Sequence, residues 1–217
     1  MSDFAKARRQ MVNSQIRPAD VTDRALQDAM ASVPRERFLP RSLGGSAYAD
    51  MEIDLGHGRR LMRPRDFAKL VQAAAVKPGD IVLDIACGRG YSTAILSRLC
   101  ETVIGLESEA EFASKAEGAL SDVTADNAVI VTGDLKAGAP DQGQFNVIVV
   151  NGAVEDVPAS WLDQLADGGR LAVIVRENGV GRARIFTRNG AAVGSRVVFD
   201  SMTALLPGFE KAKAFAL

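Results

Sequence analysis

Residues 84–90, which read DIACGRG, have the composition and spacing of a ligand-binding loop. Gly88 and Gly90 stand one residue apart, so the backbone could turn tightly and approach a ligand with no Cβ in the way. A helix that starts here would offer its free N–H groups to a negatively charged group. A pair of glycines after a strand is by itself only a weak indication of a bound nucleotide.

Two acidic residues make the indication more specific. Glu107 closes the next apolar run after the loop, where its carboxylate could accept two hydrogen bonds from a ribose diol. Asp134 follows the third apolar run, where it could meet an adenine amino group while Leu135 packs on the ring. A hydrogen bond to a charged group contributes about 1.5–3 kcal/mol. The two carboxylates could therefore select a nucleoside.

The same residues argue against a dinucleotide. A pyrophosphate site needs a third glycine so that helix and strand can close together, and Thr93 stands at that place. Asp84, four residues ahead of Gly88, would repel a pyrophosphate but suits a cationic ammonium group. An adenosine that carries an aminoacyl-sulfonium group meets all of these conditions.

The elements that position these residues are indicated by short apolar runs that alternate with helical periodicity after residue 78. An apolar, β-branched run such as residues 81–85 is typical of a strand buried on both faces. Apolar runs on both sides of Asn189-Gly190 predict a hairpin. The predicted strands are residues 81–85, 102–107, 128–132, 145–150, 170–175, 184–187 and 192–199, and the predicted helices are 92–99, 112–120 and 160–165. We therefore predict an α/β fold with a doubly wound, mostly parallel, seven-stranded Rossmann-like sheet and a C-terminal antiparallel hairpin.

The first part of the chain follows a different pattern. Helical spacing recurs up to about residue 33 and again after Pro64, whereas residues 40–63 keep no period and contain four glycines, which predicts loops. We therefore divide the chain into an N-terminal helical annex with a substrate loop, residues 1–78, and a ligand-binding α/β domain, residues 79–217, packed as one compact unit. In a doubly wound sheet ligands bind outside the carboxyl ends of the strands, which is where the loop at 84–90 would lie.

Composition narrows the possible functions. Among 217 residues, 26 Lys and Arg against 27 Asp and Glu give a formal net charge of −1, so nothing in the balance attracts nucleic acid or an anionic membrane. His57 is the single histidine and Cys87 and Cys100 the only cysteines, which leaves no metal cluster and no histidine-based triad. No apolar run approaches a membrane span, and the start MSDFAKARRQ is charged where a signal peptide is apolar. We expect a cytoplasmic protein without a metal.

With these residues in view, the sequence resembles the class I S-adenosylmethionine-dependent methyltransferases, and among them the protein-L-isoaspartate O-methyltransferase family. Residues 33–40 (VPRERFLP) and 47–50 (AYAD) are typical of that family's N-terminal region. Residues 82–91 resemble its cofactor loop, with Cys87 where threonine or serine is usual. Further matching segments are residues 145–150, 157–158 and 164–171, so the resemblance extends over roughly residues 5 to 190.

The resemblance implies S-adenosylmethionine as the cofactor and a set of residues that contact it. The implied cofactor contacts are Asp84, Gly88, Gly90, Tyr91, Glu107, Asp134 and Leu135. The alternative is that some of them only end strands or turn the chain. Tyr91 in particular could pack under the edge of the sheet.

The sequence departs from the family at the loop ahead of the first strand. The family carries Gly-x-Thr-Ile-Ser-x-Pro there, and this chain reads GRRLMRP over residues 58–64. Arg60 then stands for the threonine and Met62 for the serine, and a thioether offers no hydrogen-bond donor. We assign Arg60, Leu61 and Met62 to a substrate-side loop and assign no catalytic residue. Arg60 either helps to hold an anionic substrate or is an exposed loop arginine.

Three functions follow from the residues and the resemblance. The first is a methyltransferase that esterifies a carboxylate of isoaspartyl proteins. The second is a methyltransferase of the same build with a different, anionic acceptor, which Arg60 and Met62 favour. The third is a non-catalytic module that binds S-adenosylmethionine and a partner protein. The expected partner is accordingly a protein or peptide with an exposed carboxylate, or a small anionic acceptor.

Overall fold

The computed structural model describes residues 3–211. The last residues of the predicted domain 79–217, residues 212–217, therefore lie outside the described residues. The strands in chain order are β1 Ile53–Gly56, β2 Arg59–Leu61, β3 Ile81–Ile85, β4 Thr102–Glu107, β5 Ala128–Thr132, β6 Phe145–Val154, β7 Leu165–Glu177, β8 Val180–Asn189 and β9 Ala192–Asp200. The α-helices are α1 Asp3–Met11, α2 Arg24–Ser32, α3 Pro64–Ala74, α4 Tyr91–Leu96, α5 Ala110–Asp122 and α6 Ala159–Asp163.

A seven-stranded sheet with the order β5-β4-β3-β6-β7-β8-β9 forms the centre of the molecule. The strands from β3 to β7 pair in parallel, and β8 and β9 add two antiparallel strands at one edge. The chain leaves β3 in one direction through β4 and β5 and in the other through β6 and β7, so the sheet is doubly wound. The predicted fold class, including the terminal hairpin, is confirmed.

Strand β3 lies between two separate apolar cores. Val82 packs in one core and its neighbour Leu83 in the other, because successive side chains of a strand point to opposite faces. The first core also contains Leu26 of α2 and Phe67 of α3, whereas the second contains Trp161 of α6. The N-terminal helices thus cover one face of the sheet. The boundary between residues 78 and 79 stays a prediction.

The loop prediction for residues 40–63 is wrong in its second half, where β1 and β2 form a short antiparallel hairpin. Each strand is too short for an alternating pattern to stand out, and the tip is formed by Gly56, His57 and Gly58, all with positive φ. This hairpin carries the predicted substrate-side residues. Within residues 3–211, no helix has the length and apolar character needed to cross a bilayer.

Candidate functional site

The glycine loop connects the carboxyl end of β3 to the start of α4, as predicted. Gly88 and Gly90 have φ values of +59° and +89°, a region that non-glycine residues rarely adopt. A Cβ on Gly90 would lie 3.0 Å from the Cβ of Ala116 on α5, so this glycine permits close packing of the loop on that helix. A Cβ on Gly88 would lie 3.3 Å from Cδ1 of Leu55 on β1. Gly88 therefore faces the hairpin.

Asp84 is completely buried near the end of β3. Its carboxylate accepts hydrogen bonds from Ser92 Oγ at 2.7 Å and Thr93 Oγ1 at 2.6 Å on α4, and from Asn151 Nδ2 at 2.7 Å on β6. Burial raises the pKa of Asp84 to about 6, although these three donors act in the opposite direction. The side chain predicted to meet an ammonium group is thus held by neutral donors. Its role toward a ligand stays a prediction.

Glu107 is completely buried at the end of β4 and is paired with Arg59 of β2. The two guanidinium nitrogens Nη1 and Nη2 donate to Glu107 Oε1 and Oε2 at 2.6 and 3.0 Å. The backbone N–H of Gly88 donates to Oε2 at 2.7 Å, and the N–H of Ser108 donates to Oε1 at 2.8 Å. The carboxylate predicted to bind a ribose diol is therefore part of a buried ion pair with the hairpin.

Asp134 and Leu135 follow the end of β5, at the same edge of the sheet as Glu107 and the glycine loop. Asp134 is exposed and accepts a hydrogen bond from the N–H of Lys136 at 3.0 Å. Leu135 is buried in the core around Trp161, whose Nε1 donates to the Leu135 carbonyl at 2.7 Å. The aspartate is accessible to a ligand, whereas the leucine side chain is part of the core. Their contacts with adenine stay predictions.

Tyr91 lies at the start of α4 with its ring in the core between the sheet and the N-terminal helices. The ring centroid is 5.7 Å from that of Phe38 and 6.0 Å from that of Phe67. The guanidinium of buried Arg35 lies 4.6 Å above the same ring. Tyr91 thus has the packed surroundings that the alternative to a cofactor contact describes. All three neighbours belong to the N-terminal annex.

The three substrate-side residues have different surroundings. Met62 is buried in the apolar core of the annex, and its carbonyl accepts a hydrogen bond from Arg35 Nη2 at 2.7 Å. Leu61 is half-buried against the same core. Arg60 is exposed and lies 3.6 Å from Asp54. It lines a cavity of about 470 Å³ together with Arg63 and Arg65.

Arg59 and Asn151 are the two site residues that the sequence analysis did not identify. Arg59 lies in the segment GRRLMRP, from which only Arg60, Leu61 and Met62 were assigned, and the strand β2 that directs it inward was not predicted. With β2 assigned, alternation would have placed Arg59 and Arg60 on opposite faces of the hairpin. Asn151 lies three residues before the end of β6, beyond the predicted strand 145–150, and no motif marks it.

The doubly wound sheet, with a glycine loop after β3 and acidic side chains at the ends of β4 and β5, defines the class of nucleoside-binding α/β domains that includes the S-adenosylmethionine-dependent methyltransferases. A model of the protein-L-isoaspartate(D-aspartate) O-methyltransferase family matches residues 6–203. The chain belongs to the protein-L-isoaspartate O-methyltransferase family.

Individual relatives agree with this assignment. The chain is 35% identical over 175 residues to a protein-L-isoaspartate O-methyltransferase of Koribacter versatilis, which covers 81% of this chain and 79% of that protein. It is 37% identical over 168 residues to one of Opitutus terrae, with coverage of 77% and 72%. A crystal structure of a Plasmodium falciparum protein of this family, in complex with S-adenosyl-L-homocysteine, matches with a TM-score of 0.79 at 19% identity, over 94% of this chain and 99% of that one. At that identity the structural match supports the fold alone.

Proposed function

We propose that this chain is an S-adenosylmethionine-dependent methyltransferase that esterifies a carboxylate of isoaspartyl residues in proteins. The observation that carries the proposal is the placement of Gly88, Glu107 and Asp134 at one edge of the sheet, at the ends of three adjacent strands, in a chain that belongs to this family. Carboxylates at the ends of β4 and β5 suit a ribose and an adenine. The residue types therefore fit the nucleoside part of the cofactor.

The remaining parts of the cofactor fit in residue type as well. Buried Asp84, with a pKa raised to about 6, is ionised at neutral pH and would be stabilised by a nearby ammonium group. Gly88 presents its backbone without a side chain toward Leu55 of the hairpin. S-adenosylmethionine, when bound, supplies a methyl group on a sulfonium that a carboxylate oxygen can displace in line.

The residues of the chain then have to orient the acceptor rather than activate it. An isoaspartyl carboxyl group with an ordinary pKa of about 4 is already ionised at neutral pH, so no general base is needed. Orientation and exclusion of water supply the rate enhancement in such a reaction. Arg60, Arg63 and Arg65 line one cavity, whose lining also includes the acidic residues Glu52, Asp66 and Asp200. Guanidinium groups bind carboxylates in a bidentate manner. We propose that Arg60 binds the acceptor carboxylate there.

A different anionic acceptor is the second candidate, and Met62 favours it. Where the family has a serine, this chain places a side chain that is only 2% exposed and belongs to the annex core. This chain therefore offers the acceptor no hydroxyl at that position. Peptides with an ordinary aspartate, and small dicarboxylates, are the acceptors to compare.

The experiment is methyl ester formation with labelled S-adenosylmethionine on an isoaspartyl peptide and on the matched aspartyl peptide. Ester on the isoaspartyl peptide alone is the expected result, and Arg60→Ala should raise the KM for that peptide by about tenfold with kcat little changed. An unchanged KM in Arg60→Ala would remove the role of Arg60. Ester formation on a dicarboxylate but not on either peptide would favour the second candidate.

We further propose that the protein acts in the cytoplasm on proteins or peptides and not on nucleic acid. The formal net charge of −1 supports the choice of partner. Cys87 and Cys100 are both buried free thiols, which suits a reducing compartment.

A further inference from the structure

We propose that the guanidinium of Arg59 competes with the ribose of the cofactor for the carboxylate of Glu107. Arg59 would thereby set the affinity of the chain for its cofactor. The inference rests on the proposed function, because it takes Glu107 as the acceptor of the ribose hydroxyls. What it adds is a determinant of cofactor affinity on the hairpin, outside the glycine loop and the acidic strand ends.

The hydrogen-bonding capacity of Glu107 is already used. Oε1 accepts from Arg59 Nη1 at 2.6 Å, from Ser108 N at 2.8 Å and from Glu109 N at 3.1 Å. Oε2 accepts from Arg59 Nη2 at 3.0 Å and from Gly88 N at 2.7 Å. A carboxylate offers about four lone-pair sites. A ribose diol that donates two hydrogen bonds must therefore displace donors. Two side chains donate here, Arg59 and Ser108, whose Oγ lies 3.3 Å from Oε1, and of these Arg59 is the one that contacts both oxygens.

The hairpin keeps Arg59 in this position through contacts of β1 and of the tip. Leu55 of β1 lies over Gly88, and Gly58 at the tip lies so close to Pro207 that a Cβ there would be 2.9 Å from Cγ of that proline. The ring of His57 packs edge-on against Phe112 of α5, with centroids 5.5 Å apart. The hairpin thus covers both the glycine loop and the ribose acceptor.

Binding of a ribose diol to Glu107 then requires that Arg59 leave a buried pair. Arg59 is only 4% exposed, whereas residues 56–58 at the adjoining tip are exposed. A bidentate, charge-assisted pair is stronger than two hydrogen bonds from neutral hydroxyls. The population of chains with a free Glu107 is therefore small, and the apparent affinity for the cofactor falls in proportion.

The first test measures binding of S-adenosyl-L-homocysteine by calorimetry to the full chain and to Arg59→Gln. We expect Arg59→Gln to bind at least about tenfold more tightly, because it removes the charge-assisted competitor. Arg41→Gln is the control, since Arg41 is an exposed arginine in the segment Arg41–Ser46, outside the hairpin. It should bind as the wild type does.

A second measurement asks whether the competition is for the diol. Adenosine and 2′,3′-dideoxyadenosine differ only in the hydroxyls that Glu107 would accept. The gain in Arg59→Gln should be at least about tenfold for adenosine and less than about threefold for the dideoxy compound. If Arg59→Gln does not fold, Arg59→Lys takes its place, because it retains the charge but loses the bidentate geometry. An intermediate gain is expected for that variant.

The outcomes separate this inference from the proposed function. If the wild type binds S-adenosyl-L-homocysteine and Arg59→Gln binds it equally or more weakly, the role of Arg59 is overturned and the cofactor assignment stands. An equal gain for both nucleosides would also overturn competition for the diol. If neither the wild type nor any Arg59 variant gives heat with S-adenosyl-L-homocysteine, the cofactor assignment fails and the inference fails with it.

Discussion

At the scale of single residues, Asp84 is an acid whose surroundings oppose its charge. It is completely buried, and burial outweighs three neutral donors, so its pKa rises from 3.8 to about 6. Negatively charged Glu107 acts in the same direction. Because a raised carboxyl pKa means that the folded chain binds the proton more tightly than the unfolded chain does, ionisation of Asp84 destabilises the fold.

This shift makes a prediction for stability against pH. The contribution of protonated Asp84 to the free energy of unfolding is fully present below the unfolded pKa of 3.8. It is lost as the pH rises through the folded pKa of about 6. The loss amounts to about 3 kcal/mol at 1.36 kcal/mol per pKa unit. Asp84→Asn cannot ionise, so wild type should lose about 3 kcal/mol relative to it between about pH 3 and pH 8, measured by urea unfolding. A constant difference over that range would contradict the raised pKa.

Arg35 is a buried charge that joins two parts of the annex. Its Nε donates to the carbonyl of Ala47 at 2.8 Å and its Nη2 to that of Met62 at 2.7 Å, while the guanidinium lies over Tyr91. Arg35→Ala removes the donors and leaves a cavity, which should lower the free energy of unfolding by about 3–5 kcal/mol.

Exposed Arg41 supplies the comparison for Arg35. Arg41→Ala should change the free energy of unfolding by less than about 0.5 kcal/mol. Urea denaturation of both variants is the measurement. A loss of less than about 1 kcal/mol in Arg35→Ala would show that the buried guanidinium is not a structural link.

Glu107 and Arg59 show how far residue chemistry could be predicted from the sequence. The position of Glu107 at the end of a buried strand was predictable, because the run TVIGL at residues 102–106 is typical of a strand buried on both faces. Its partner was not, since three arginines lie within five residues and only the backbone pairing of β2 decides which one points inward. Tertiary contacts of this kind leave no local pattern.

At the scale of elements, the turn from β3 into α4 depends on two glycines for different reasons. Gly90→Ala must place a Cβ at φ +89° and 3.2 Å from Cα of Ala116, a backbone atom that cannot yield easily. We expect a loss of about 2–4 kcal/mol in stability from strain and crowding together. Thermal unfolding followed by circular dichroism measures it.

Gly88→Ala is the matched change at the other glycine. Its Cβ would meet only the end of the flexible Leu55 side chain, 3.3 Å away, at φ +59°. The loss should be about 1–2 kcal/mol, from the backbone alone. Equal losses in the two variants would mean that α5 does not confine the loop.

The elements that could be predicted are those whose burial leaves a recognisable pattern of apolar residues in the sequence. The central strands are continuous apolar runs because both of their faces are buried, and β3, β4 and β5 have their predicted bounds. The hairpin of β1 and β2 has strands of four and three residues with charged side chains, so it carries no period. Its stability comes from the residues that it covers rather than from its own sequence.

At the scale of the whole molecule, the annex and the sheet share one apolar core. Leu26 of α2 and Val82 of β3 belong to the same cluster, although the sequence changes character between them at about residue 78. The change of pattern marks a change from helices to strands and predicts nothing about whether the two parts unfold separately. Contacts across the face of the sheet decide whether the two parts unfold separately. The site is affected because the hairpin that carries Arg59 belongs to the annex.

We expect the two parts to unfold as one. Trp161, the single tryptophan, is fully buried on the face of the sheet opposite to the annex, and so reports on the other core. Leu26→Ala removes a fully buried side chain from the annex, which should cost about 2–5 kcal/mol. If the core couples the two parts, the urea midpoints measured by tryptophan fluorescence and by far-ultraviolet circular dichroism shift by the same amount.

Met202→Ala, at a side chain that is 70% exposed, is the control and should shift neither midpoint. A Leu26→Ala chain whose tryptophan midpoint stays at the wild-type value would establish that the annex unfolds independently, and the hairpin with Arg59 could then leave Glu107 without unfolding the sheet.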